Sequence, residues 1–212
     1  MTQTQTSLPT SLRHPGHHVT AVLVTHDGAQ WLPDVLAALT DQTRPADRVV
    51  AVDTSSEDDS ASLVADAWDA VTVVALARET SFGDAVQAGL EAPGPDGSAE
   101  PRDAVVEWVW LLHDDCAPEP DALDELLTRV THSPSVWLVG PKVRDWSGTR
   151  LLEAGLTIDV SGHIDSGVDA IEVDQSQRDD VDEVLAVSTA GAVAAPAATA
   201  ASPMIAPAGG RR

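Results

Sequence analysis

A chain of 212 residues with 43% hydrophobic content is long enough to bury one sizeable core, and a single domain is the simplest arrangement. Its 34 acidic against 12 basic residues give a net charge of −22, which repels a phosphate backbone, and no basic patch offsets it, so nucleic acid is excluded as a partner. One cysteine rules out an intramolecular disulfide and points to a reducing compartment, the cytoplasm. No run approaches the roughly 20 apolar residues that cross a bilayer, so no membrane span is expected in this chain.

Residues 1–18 are rich in Thr, Gln, Ser and Pro and are read as a disordered leader, with the domain starting at Val19. From there short apolar runs alternate with helical patterns. Strands are predicted at 19–24, 49–52 and 71–76, and helices at 31–39, 60–68 and 82–90. That alternation implies βαβ units and a parallel sheet. A Gly/Pro-rich loop at 93–101 precedes a strand at 107–112 that is apolar on both faces and therefore central. Pro118 and Pro120 open a helix over 122–130, with Asp121, Asp124 and Glu125 in its first turn where the helix dipole favours negative charge. A strand at 136–139 follows, and then residues 141–189, whose short β-prone pieces at 156–160 and 184–187 predict mixed or antiparallel additions. Residues 191–212 are Ala/Pro-rich and are read as an unstructured tail.

In an α/β sheet, ligands bind beyond the carboxyl ends of the strands. Three strand ends here are polar in an unusual way. The first is Thr25-His26-Asp27-Gly28, where the glycine frees the backbone to turn; by itself this fits plain loop chemistry. The second is Asp53-Thr54-Ser55-Ser56-Glu57-Asp58-Asp59-Ser60, in which Asp58 or Asp59 has the plainer role of capping the next helix. The third is His113-Asp114-Asp115-Cys116, which places adjacent carboxylates and an imidazole at the end of a buried apolar run, a costly arrangement without a ligand. Carboxylate oxygens suit Mg2+ or Mn2+, and Asp115 is the candidate metal ligand. Cys116 has no partner that would make it a nucleophile and reads as a small buried side chain.

In this order and at this spacing the three segments resemble the family 2 glycosyltransferases, whose first domain carries a strand-end Thr-x-Asn/Asp segment, a Val-Asp-x-x-Ser-x-Asp loop and an Asp-x-Asp motif. Residues 39–45, 82–90 and 139–142 are similar to further segments of that family. The resemblance implies an α/β fold of the GT-A kind: Rossmann-type βαβ units around a central, mostly parallel sheet, with antiparallel additions near the C-terminus, over residues 19–190. It implies that Thr25, His26, Asp27, Asp53, Asp84, His113 and Asp114 contact a nucleoside-diphosphate sugar, and that Asp115 holds Mn2+ or Mg2+. It also implies inverting sugar transfer to a glycan or lipid-linked hydroxyl of the cell envelope, in the cytoplasm or at the inner face of the membrane. His113 stands where the family has its first motif Asp, and imidazole carries no negative charge at neutral pH.

Inverting members continue past a segment like 187–192 into an arginine-containing strand, a Gly-Gly-Phe-Asp loop and an acidic pair that supplies the general base. No Asp or Glu follows Glu183 here, so the base is not identified, and the change to Ala/Pro-rich text reads as a frameshifted or shortened frame. Two other readings stand beside active transfer: a noncatalytic nucleotide-binding remnant, and an unrelated doubly wound domain of the flavodoxin or response-regulator kind.

Overall fold

The computed structural model describes residues 14–69, 71–94, 106–133 and 135–196. Their order is β1 (His17–Thr25), α1 (Leu32–Thr40), β2 (Arg48–Asp53), α2 (Ser60–Ala67), β3 (Thr72–Ala75), α3 (Phe82–Glu91), β4 (Val106–His113) and α4 (Ala122–His132). Shorter strands follow: β5 (Leu138–Val139), β6 (Val143–Arg144), β7 (Leu151–Glu153), β8 (Thr157–Ile158), β9 (Ile164–Asp165) and β10 (Val193–Ala194).

Six strands form the main sheet in the order β3-β2-β1-β4-β10-β5. The first four are mutually parallel, and β10 runs antiparallel between β4 and β5. The handedness of βαβ crossovers explains the layers. The chain steps from β1 outward to β2 and β3, which places α1 and α2 on one face; it then returns past β1 to β4, which places α3 on the other. The alternation of buried residues records this. Ala21, Leu23, Val49, Ala51, Trp108, Trp110 and Leu112 pack with α1, α2 and α4, whereas Val22, Val50, Val52, Val109 and Leu111 pack with Ala85 and Val86 of α3. Each fully buried Val or Leu contributes about 1.5–3 kcal/mol. The expectation that β4 is central and apolar on both faces therefore holds, with Trp108 to Leu112 all buried between β1 and β10.

Gly89 lets α3 lie close on the sheet: a Cβ there would stand 3.0 Å from a methyl of Val52 and 3.1 Å from one of Val22. On the other face, Gln42 ties α1 to α4. Its amide nitrogen donates to the carbonyls of Ala38 and Glu119, and its oxygen accepts from the Leu123 backbone N–H.

Two boundaries differ from the sequence reading. β1 begins at His17, two residues before the expected start, because His17 and His18 pair with Val106 and Glu107 of β4. The His17 ring stacks on Trp108 and accepts a hydrogen bond from its indole N–H at 2.8 Å. The expected leader and tail lie otherwise in 1–13 and 197–212, outside the described residues, as do 95–101 of the expected Gly/Pro loop. At the far end, residues 191–194 are not a tail: Gly191, Ala192, Val193 and Ala194 are buried, and Trp110 donates its indole N–H to the Gly191 carbonyl at 3.0 Å. Composition misleads here because Ala-rich text reads as low complexity, whereas its backbone pairs with β4 and β5 and Val193 joins the core.

Beyond β5, the antiparallel additions form as expected: β6 pairs with β7 and β8 with β9. Residues 184–187 form no strand; Ala186 makes an isolated antiparallel bridge to Leu156. Among the described residues no helix is long and apolar enough to cross a membrane.

Candidate active site

The register of the sheet brings the three polar strand ends together. Thr25 stands beside Asp53, and Val24 beside His113, so β1, β2 and β4 finish side by side where the connections diverge to opposite faces. That divergence opens the crevice in which doubly wound sheets bind ligands.

The loops are then stitched to one another. From β4, the Asp114 carboxylate accepts the His26 backbone N–H at 2.7 Å and the Thr25 hydroxyl at 3.2 Å. From the β2 loop, Asp58 accepts the Ala29 N–H at 3.0 Å, and the Ser60 hydroxyl accepts the Gly28 N–H at 2.9 Å. The Asp27 N–H donates to the Ser56 hydroxyl at 3.0 Å, and the Ser56 hydroxyl and N–H both donate to Asp53. Asp27 sits at φ +55°, in the left-handed region that Asp tolerates. Its carboxylate accepts the Glu57 N–H at 2.7 Å and pairs with the Arg78 guanidinium, which also donates to the Ser55 carbonyl at 3.1 Å. The Arg78 bond, aided by the Glu57 N–H, holds the Asp27 carboxyl down at about 2.

His26 is exposed, with its ring Nδ1 2.8 Å from the Thr54 hydroxyl. His113 is held on both sides: its ring stacks face to face on Phe82 at 4.2 Å, and its Nε2 lies 2.8 Å from the Thr189 hydroxyl. Burial lowers the His113 pKa against the pull of Asp115 and Asp114, which favours the neutral ring. Burial raises the Asp114 carboxyl against the two bonds it accepts. Cys116 is a free thiol pushed up to about 11 by burial, which fits a packing role.

The structure thus gathers Thr25, His26, Asp27, Asp53, His113, Asp114 and Asp115 at one edge, but their availability differs. Thr25, expected as a ligand contact, is fully buried and its hydroxyl donates to Asp114. Asp84, also expected at the donor, lies in the first turn of α3, where its carboxylate accepts the Ser81 hydroxyl at 2.6 Å while Ser81 caps the Asp84 N–H. Asp115 is exposed and makes no hydrogen bond to a described residue. Among the described residues no group of three or more His, Cys, Asp or Glu is placed to hold a metal by itself. Sequence reasoning missed Ser56, Ser60, Phe82 and Thr189 as parts of the site. The hydroxyl-rich run after Asp53 was the available signal for the first two, and Phe82 is the chain's one phenylalanine.

A mainly parallel sheet with its polar strand ends gathered at the switch point defines a doubly wound α/β domain. The sequence profile of glycosyl transferase family 2 matches residues 20–156, and the chain belongs to that family. No curated protein matches it. Among solved structures, the mannosyltransferase PcManGT from Pyrobaculum calidifontis, in complex with GDP-Man and Mn2+, is 24% identical over 60% of this chain and 36% of its own, with a TM-score of 0.48. TarS from S. aureus in complex with UDP is 19% identical over the same shares, with a TM-score of 0.45. Glucosyl-3-phosphoglycerate synthase from Mycobacterium tuberculosis, in complex with phosphoglyceric acid, is 17% identical over 63% of this chain and 47% of its own, with a TM-score of 0.45. The chain spans less than half the length of each of these proteins.

Proposed function

We propose that the chain carries the donor-binding half of an inverting, metal-dependent glycosyltransferase, which moves a sugar from a nucleoside-diphosphate sugar to a hydroxyl of a glycan or lipid-linked acceptor. The observation that carries this reading is the alignment of Asp53, His26 and the unengaged Asp115 at the switch point of a family 2 domain. Cell-envelope acceptors, met from the cytoplasm at the inner face of the membrane, are the class many family members use. The donor half comprises the expected 19–190 domain, extended at both ends by paired β residues.

Hard divalent cations are commonly held by one or two carboxylates together with substrate phosphates and water. Asp115 meets that requirement: it is exposed and makes no hydrogen bond to any described residue. Asp114 does not, since both its partners are on the β1 loop. The donor set therefore fits Mn2+ or Mg2+ arriving with the diphosphate, with Asp115 as its protein ligand. Such a cation would neutralise the charge that develops on the departing diphosphate. The chain's own groups supply orientation. His26 is exposed with its ring held by Thr54, and the Asp53 carboxylate is aimed by Ser56. The neutral His113 ring is fixed by Phe82 and Thr189. The general base is not assigned.

A second reading, nucleotide binding without turnover, is favoured by His113 in place of the family's first motif carboxylate. Both readings share one first test: calorimetric titration with UDP, GDP and dTDP, with and without Mn2+, on the wild type and Asp115→Ala. Metal-dependent binding of one nucleotide, lost in the variant, supports the donor site; no binding of any nucleotide overturns it. A sugar-transfer assay on the same preparation then separates transfer from binding alone.

A further inference from the structure

Asp114 occupies the middle position of the His113-Asp114-Asp115 motif, yet its carboxylate is turned onto the end of β1. One carboxylate oxygen accepts both the His26 N–H at 2.7 Å and the Thr25 hydroxyl at 3.2 Å, joining the end of β4 to the end of β1 across the switch point. The His26 N–H has this one acceptor. The position of Gly28 makes the contact possible: a Cβ there would fall 2.3 Å from the same carboxylate oxygen and 2.4 Å from its carbon. Contacts under about 3.0 Å do not survive, and the atoms in the way are a short carboxylate held at both donors, with no flexible tail to yield. Any side chain at residue 28 must therefore evict Asp114.

We propose that Asp114 is a positioning residue that never touches the donor: with Gly28 as its obligate counterpart, it fixes the His26-Asp27 turn in the conformation the nucleotide meets. This rests on the donor-site reading for the nucleotide but not for the turn. Hydrogen bonds from neutral donors to an ionised carboxylate are about twice as strong as neutral pairs. The interlock explains why the left-handed Asp27 can keep its carboxylate toward Glu57 and Arg78 instead of relaxing.

The test pairs amide hydrogen exchange, which needs no ligand, with UDP, GDP and dTDP binding in Mn2+. In Asp114→Ala and in Gly28→Ala the His26 amide should lose protection by roughly tenfold or more, with nucleotide binding weakened by a similar factor. The double variant should lose no more than either single, because both remove one contact. Asp114→Asn, which keeps an acceptor for the His26 N–H, should restore most of the protection and guards against simple misfolding of the alanine variant. Unchanged His26 exchange in Asp114→Ala, or losses that multiply in the double variant, would overturn the interlock. If the wild type binds no nucleotide, the donor-site reading fails, and the exchange results still decide whether Asp114 holds the turn.

Discussion

Arg44 is the sharpest place to test how the edge of β1 is held. Its side chain is 1% exposed and sits under the start of β1, donating to the His17 carbonyl at 3.0 Å and to Asp47 at 2.8 Å. The same Asp47 oxygen accepts the Val19 N–H at 2.8 Å. Asp47→Ala would strand a buried guanidinium and leave a β1 amide unpaired, and breaking a buried pair from one side costs about 3–5 kcal/mol. For a domain of this size each kcal/mol shifts the melting temperature by roughly 2–4 °C. A fall on the order of 10 °C is expected by calorimetry or circular dichroism. Replacing both partners, Arg44→Met with Asp47→Ala, removes the stranded charge and should recover part of that loss. If Asp47→Ala melts within a degree or two of wild type, or the double variant melts no higher than the single, the guanidinium is not held as described and the argument fails.

Trp110→Phe should cost roughly 2–4 kcal/mol, because it shrinks a side chain buried between helix and sheet and strips the Gly191 carbonyl of its indole partner; urea unfolding checks this. His17 gives a pH signature. Burial, then His14 and Arg44, hold its pKa below the ordinary 6.5, and the Trp108 indole needs Nδ1 unprotonated. A depressed folded pKa means the contribution is whole above 6.5 and is lost as pH falls through the lower folded value. His17→Gln should thus flatten the decline of melting temperature on acidification, and an unchanged slope would refute the assignment. Arg78→Ala should let the Asp27 carboxyl rise from about 2 toward the ordinary range, read by carbon-detected NMR titration, since the Arg78 bond is its largest cause.

The parallel core was legible because hydrophobic periodicity and strand spacing record it directly. Runs such as Val49 to Val52 and Trp108 to Leu112 are buried on both faces, and α3 spans nearly the segment its pattern marked. Of the short strands, β5 and β8 fall inside predicted pieces, but β9 was not marked, because it is exposed and burial imprints no alternation on it. β10 was hidden because Ala192 to Ala194 reads as low complexity, and the strands it pairs with, β4 and β5, lie far away in sequence. The strand-end motifs marked segments that the sheet register does bring side by side. They did not separate side chains that face the crevice from those that hold the loops, since Thr25 and Asp115 look equally polar in the sequence and differ only in what surrounds them.

That division governs how substitutions at this edge should be interpreted. Asp27, Asp58 and Asp114 each accept a backbone donor from a neighbouring loop, and Asp53 accepts the N–H and hydroxyl of Ser56 in its own, so removing any one loosens a turn before it removes a ligand contact. Asp115 makes no hydrogen bond to a described residue, so its deletion reports more directly on a ligand, whereas deleting the His26 ring also removes its bond to Thr54. Loss of nucleotide binding in an Asp53 variant therefore cannot by itself assign a contact to Asp53, because Ser56 and through it the Asp27 N–H move with it. A loss in Asp115→Ala with His26 exchange unchanged can. In a site built from crossed loops, a carboxylate's hydrogen-bond partners, more than its charge, determine whether it recognises the donor or shapes the place where the donor binds.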